Sequence, residues 1–353
     1  MNKIALAQLP HSIIMSDVRQ RLARLFAVNL FWFLVVFSST GCVAQQRILL
    51  ALSKADHTLA IVDPSTLKVM SRIPVGPDPH EVIASPDGKR AYVSIYGGGS
   101  LHEINVIDLV AQKPLLTVDT RPLFGPHGLA FADGKVWFSA EGSKAVGRYD
   151  PATNKVDWCM GTGQDRSHMV YVTPDAKKIY TTNVNAGTVS ILTSQDRPSG
   201  GGHREWKQTV VPVSKGSEGF DVSPDGGELW TVSAGDGSIA VIDLATDKVA
   251  STIDAKVLGA NRLVFTPDGK RVLVSSLRAG NLYVFDVASH KEIKRINIGS
   301  GGAGILVDPD GSRAFVGCSP DNYVAVVDLK KMEMIDRIDV GGTPDGLAWA
   351  IKP

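Results

Sequence analysis

Seven positions in this chain recur at intervals of about 41 to 50 residues, each just ahead of a short apolar run: His80, His127, His168, Glu218, Asn261, Ala303 and Asp345. Six of the seven are polar, yet the residue two places further on is apolar every time: Val82, Leu129, Val170, Phe220, Leu263, Ile305 and Leu347. Imidazole nitrogens with a carboxylate suit zinc, iron, manganese or copper. His80, His127, His168 and Glu218 therefore form a candidate set for one divalent transition metal. Asn261 and Asp345 are candidates for holding a ligand or a water. The same pattern also fits metal-free ligand binding, acid–base use of the imidazoles, or a ring of polar groups around a wet channel.

A second group follows the next strand of each unit: Lys54, Tyr96, Glu141, Asn183, Asn185 and Arg278. Arg278 or Lys54 would hold a carboxylate while His127, His168 or Tyr96 moves a proton. That layout suits β-elimination from an anionic sugar or metal-assisted hydrolysis of a lactone. Glu141, Asn183 and Asn185 stand as ligand-binding candidates beside Lys54. Each of these long polar side chains also fits ordinary loop surface.

Positioning such groups requires a repeated scaffold, and the chain has one. The turns SPDGKR, TPDAKK, SPDGGE, TPDGKR and DPDGSR recur, each between two brief apolar strands. Proline presets the first turn angle, aspartate bonds to the following backbone and glycine accepts a left-handed conformation. A third strand ending in aspartate follows, as in NVIDL, GRYDP, AVIDL, YVFDV and AVVDL, and then a more polar fourth. Four short strands per unit, repeated without a helix-length segment, predict an all-β, seven-bladed propeller of four-stranded antiparallel blades over residues 45–353. The N-terminal RILLALS, TLAIVDP and LKVMSRI supply three strands of one blade, and TPDGLAWAI at the other end supplies the fourth. Pairing them would close the ring and remove two open sheet edges.

The tetrapeptides after the turns, Tyr92-Val93-Ser94-Ile95, Tyr180-Thr181-Thr182-Asn183 and Trp230-Thr231-Val232-Ser233, resemble the repeat of the bacterial YVTN-type β-propeller family. The resemblance covers about residues 46–353 and implies the propeller fold. It does not select a function, because such propellers include binding proteins, subunits of redox enzymes, and lactonase-like or lyase-like enzymes.

Composition bounds the rest. A formal charge of +1 over 353 residues gives no basis for electrostatic nucleic-acid binding. Residues 1–44 carry Arg19, Arg21 and Arg24 ahead of the apolar run LFAVNLFWFLVVF, the pattern of an export segment. Cleavage after Ala44 or lipid attachment at Cys42 would follow, placing the protein in the periplasm or outer envelope of a bacterium. Beyond that segment only Cys159 and Cys318 remain, with CxxC, CxxCH and HExxH absent, and Gly200 to Gly202 lacks the pattern of a phosphate loop. The sequence favours an exported propeller that binds a small molecule or carbohydrate at the polar mouth of its channel. Its alternatives are a metal-assisted lyase or lactonase-like hydrolase, and a protein-interaction subunit of the cell envelope.

Overall fold

A computed structural model describes residues 46–196 and 204–353; the expected export segment and Cys42 lie outside the described residues. Among the described residues every regular element is a strand, apart from three short 3₁₀ turns at Gly97–Gly99, Glu141–Ser143 and Ser319–Asp321. The strands form seven four-stranded antiparallel sheets, the blades of a β-propeller. In chain order, blade 1 spans residues 79–119, blade 2 126–161, blade 3 167–212, blade 4 217–253, blade 5 260–297 and blade 6 302–338. Blade 7 joins both ends of the ring. Its innermost strand Pro344–Ile351 pairs with Arg47–Ser53, which leads into Thr58–Asp63 and Lys68–Pro74.

The repeated turn and strand residues do the work their chemistry predicts. In the PDG turns the aspartate accepts from the preceding hydroxyl and from a backbone N–H two residues on, as Asp87 does from Ser85 and Lys89. In every blade but the third, the aspartate ending the third strand caps the next turn in the same way, for example Asp108 with the N–H groups of Val110 and Ala111. The first residue of each second-strand tetrapeptide crosses into the next blade. Tyr92 of blade 1 packs with Leu129 and Phe138 of blade 2, Trp137 with Val170 and Ile179 of blade 3, and Trp230 with Leu263 and Phe265 of blade 5. Each is almost fully buried, which stabilises the ring by roughly 1.5–3 kcal/mol per large side chain.

Trp206 lies in the fourth strand of blade 3, Arg204–Pro212, and meets Trp158 of blade 2 at 5.0 Å between rings. Cys159 is exposed and Cys318 buried, both as free thiols. Burial pushes the Cys318 thiol up to about 12.

Candidate metal and ligand site

The innermost strands place the seven recurring residues around one cavity. In all seven blades the pairing with the second strand shifts register across the recurring residue, as between Pro79 and Val82 or between Ser167 and Val170. A bulge of this kind re-aims a side chain, here toward the channel mouth. Hydroxyls on the second strands then satisfy the loosened backbone. Ser94 accepts from the N–H of Glu81, Ser139 from Gly128 and Ser275 from Arg262. Ser139, Thr182 and Ser275 also donate to the carbonyls of His168, Glu218 and Ala303 in the neighbouring blades. The hydroxyl of the YVTN-like tetrapeptide is thus a pin between blades.

The channel narrows immediately below this ring. In four blades the next residue is glycine: Gly128, Gly219, Gly304 and Gly346. A Cβ on Gly128 would lie 2.7 Å from the backbone of Met169, and one on Gly346 2.4 Å from the His80 carbonyl. The other three blades place Glu81, Met169 and Arg262 here. Arg262 donates to Glu81 across the channel and to Asn261 Oδ1 at 3.3 Å, flooring the mouth.

The cavity above that floor has a volume of about 280 Å³, and all seven recurring residues line it, together with Lys54, Arg166, Arg262, Leu277, Ser319 and Thr343. Successive imidazoles are close: ring centroids lie 4.9 Å apart for His80 and His127 and 3.9 Å for His127 and His168. His127 and His168 are only 2% and 3% exposed, yet Nδ1 of His127 and Nε2 of His168 have no hydrogen-bond partner. Two buried imidazole nitrogens without partners need an explanation.

Glu141 supplies part of it. The 3₁₀ turn it opens is pinned by the Glu141 N–H donating to the Gly125 carbonyl, and its carboxylate pairs with Nδ1 of His168 and accepts from the Tyr96 hydroxyl. Arg166 approaches the same carboxylate at 3.4 Å and Glu218 at 3.3 Å. Burial acts to raise the Glu141 pKa, but the His168 and Tyr96 hydrogen bonds and the Arg166 charge outweigh it and hold it below the usual carboxylate range. Burial, reinforced by that carboxylate, raises the Tyr96 phenol well above its ordinary value. His127 titrates far below a free imidazole because it is buried and faces the positive charge of its neighbours. Carboxylate to Nδ1 with Nε2 left free is the arrangement that orients a metal-ligating histidine. His127, Glu141 and His168 each offer a ligand atom within 4.8 Å of the others.

The structure therefore regroups the sequence-based metal set. His80 gives Nδ1 to the Asp78 carbonyl and meets Lys54 Nζ at 2.8 Å through Nε2, so its ring is already committed on both sides. Glu218 is engaged by Asn261, which donates at 2.8 Å, and by Arg166. Glu141 takes the carboxylate place beside His127 and His168. Lys54 sits in the mouth between Asp345 at 3.4 Å and Asp78 at 3.5 Å, and Asn261 and Asp345 line it as expected from their spacing.

Three expected members lie elsewhere. Asn183 is buried under Ser167, Thr188 and Ser190, a hydrogen-bonding knot inside blade 3. Asn185 is exposed and donates to Asp165. Arg278 is exposed and its alkyl stem covers Gly259 instead of entering the cavity. The segments after the second strands differ, some opening a 3₁₀ turn and some not, and only some bring their residues to the cavity. Arg166 and Arg262 are the cavity's guanidinium groups, and the sequence reading missed both. A signal existed for Arg262: it stands where four blades carry glycine.

Comparison with known proteins places the architecture. The YNCE-like beta-propeller family profile matches residues 202–313, less than half of the chain. Curated protein sequences give no match. Among solved structures, Kuenenia stuttgartiensis hydrazine synthase is 18% identical with a TM-score of 0.65, over 76% of this chain and 89% of that one. A Bacteroides uniformis protein provisionally assigned as a 6-phosphogluconolactonase is 15% identical with a TM-score of 0.72, over 87% of this chain and 100% of that one. The dihydro-heme d1 dehydrogenase NirN is 17% identical with a TM-score of 0.61, over 83% of this chain and 64% of that one. At these identities the likeness is one of fold, and function must be argued from the site.

Proposed function

We propose that the axial mouth is a divalent-metal site serving lyase or lactonase-like hydrolase chemistry on a small polar molecule. The observation that carries this reading is the pair of buried, unpartnered nitrogens on the adjoining rings of His127 and His168. Charge supports it as well. Lys54, Arg166 and Arg262 face Asp78, Glu81, Glu141, Glu218 and Asp345, three cations against five carboxylates before any imidazole proton is counted. A divalent cation would balance the difference.

In this reading His127 and His168 are the nitrogen ligands, and Glu141 holds His168 in the tautomer whose Nε2 lone pair is free. Tyr96 is a positioning residue: its hydroxyl is spent on Glu141, and its ring stands edge-on to His80 and His127 at 4.6 and 5.1 Å. Bound metal would supply Lewis-acid polarisation of a carbonyl. His80 and Lys54, joined at 2.8 Å, form the pair able to relay a proton beside His127. Asn261 and Glu218 orient polar groups of the ligand, and the Arg262–Glu81 floor restricts access to one face. A lactonase-like assignment of one structural neighbour is compatible with this chemistry. The arginine-flanked apolar N-terminal run further supports export, and the tetrapeptides support a place among YVTN-type propellers.

Metal analysis of protein purified without a histidine tag tests the proposal. About one equivalent of tightly held divalent metal is expected, lost on replacing His127 and His168 with alanine while the circular dichroism spectrum is retained. Failure to bind zinc, manganese, iron or copper in calorimetric titrations would refute it.

A further inference from the structure

The wall facing the histidines is built differently. Blade 6 contributes Ala303, the one apolar member of the ring. Beside it Leu277 lines the cavity and remains 48% exposed, and Leu258 is 53% exposed. The two leucines are held on adjacent backbone segments: the Leu277 N–H donates to the Gly259 carbonyl at 2.8 Å, and Ser276 Oγ donates to the Leu258 carbonyl at 2.8 Å. The alkyl stem of Arg278 lies over Gly259 and extends the same surface. On the side away from His127 and His168, Leu277 in the cavity wall and Leu258 on the neighbouring segment thus offer exposed apolar side chains, beside Ala303, Ser319 and Thr343.

The cations of the mouth are engaged. Lys54 pairs with Asp78 and Asp345, Arg166 with Glu141 and Glu218, and Arg262 with Glu81. A phosphate or carboxylate on a ligand would have to displace one of these carboxylates to gain Lys54, Arg166 or Arg262 as its partner. A neutral head group has no such cost.

We infer that the ligand is an uncharged amphiphile, with a carbonyl-bearing head toward the histidine wall and an alkyl tail along Leu277 and Leu258. The inference rests on the proposed metal-assisted site for the placement of the head, and it replaces the anionic sugar expected from Arg278. The neutral ester of a lactone ring bearing an alkyl side chain has this chemistry. The occupant of the surface at Leu258 and Leu277 is then the tail of the same molecule that fills the cavity, since Leu277 lines that cavity.

Calorimetric titration with neutral five-membered lactones carrying alkyl chains of two to eight carbons tests this. Affinity is expected to rise about two- to fourfold per added methylene over the first few carbons, as the buried apolar area grows. In the variant carrying Leu258→Ser and Leu277→Ser, on exposed positions where folding should persist, that dependence should flatten. A single Leu277→Ser variant gives the same readout at reduced amplitude. Affinity independent of chain length in the unaltered protein, absence of binding by every member, or tighter binding of a phosphorylated lactone would overturn the inference. Metal analysis of the same samples separates the two readings. Chain-length dependence in protein that takes up no metal sinks the metal site alone, and one bound metal with a flat series sinks the amphiphile alone.

Discussion

Blades 3 and 6 share one strand plan, one inner-strand bulge and one turn grammar, yet their mouths differ completely. Blade 3 offers His168, fixed by Glu141, with Arg166 alongside. Blade 6 offers Ala303 between two glycines, and Gly317 stands where blades 1, 2 and 5 have Ser94, Ser139 and Ser275. A Cβ on Gly317 would lie 3.0 Å from the Pro344 carbonyl, so backbone proximity replaces the hydroxyl pin there. The comparison teaches that the scaffold is insensitive to the recurring residue. One position per blade can be spent on function because the bulge and its pins hold the strand without it.

The severest test of that separation removes scaffold and leaves every histidine in place. Deleting the closing strand Pro344–Ile351 would expose the edge of Arg47–Ser53 and strip Leu347 and Ala350 from the core. Loss of the cooperative thermal transition is expected, and a variant that melts like the full chain would show that the ring does not depend on closure. Next in size, replacing His127 and His168 with alanine should abolish metal retention, measured by elemental analysis, while the fold persists. Glu141→Gln removes the carboxylate that orients His168 and should weaken metal affinity by about 10- to 100-fold in competition titrations, without eliminating it. An unchanged affinity would make Glu141 structural only.

A smaller effect sharpens the contrast on the scaffold side. Asp221 of blade 4 occupies the position that is Ile83, Ala130, Tyr171, Val264, Leu306 and Ala348 in the other blades. It accepts from the N–H of Phe265 in blade 5 at 2.9 Å, and burial raises its carboxyl to about 6. Because the folded state holds this proton more tightly than the unfolded chain, the stability it contributes is complete below about pH 4 and is lost as pH rises through 6. Asp221→Asn keeps an acceptor for Phe265 and should gain on the order of 1 kcal/mol relative to the parent at pH 7.5, with little difference at pH 4. Denaturation at the two pH values measures it. Smallest of all, Ala303→His should leave both melting temperature and metal stoichiometry unchanged, since an imidazole on the far wall lacks the Glu141 support.

The fold was legible because each of its devices is local. A PDG turn, an aspartate at a strand end and an alternating apolar strand act within a few residues, so their repetition counts the blades and even predicts the shared final one. The recurring mouth position was legible for the same reason, being periodic. The partnerships inside the mouth were not. Glu141 and Glu218 are both acidic residues of the repeat, but only the turn pinned to Gly125 brings Glu141 under His168.

What the residues by themselves determined is the number of blades, the closure and the ring of positions around the axis, because short-range backbone preferences set them. Tertiary structure decided which imidazoles keep a free nitrogen, which cations are already paired, and that Arg262 rather than Arg278 enters the channel. Those outcomes depend on distances of a few ångströms between chain segments as far apart as Glu81 and Arg262, and electrostatic and hydrogen-bond energies change sharply over such distances.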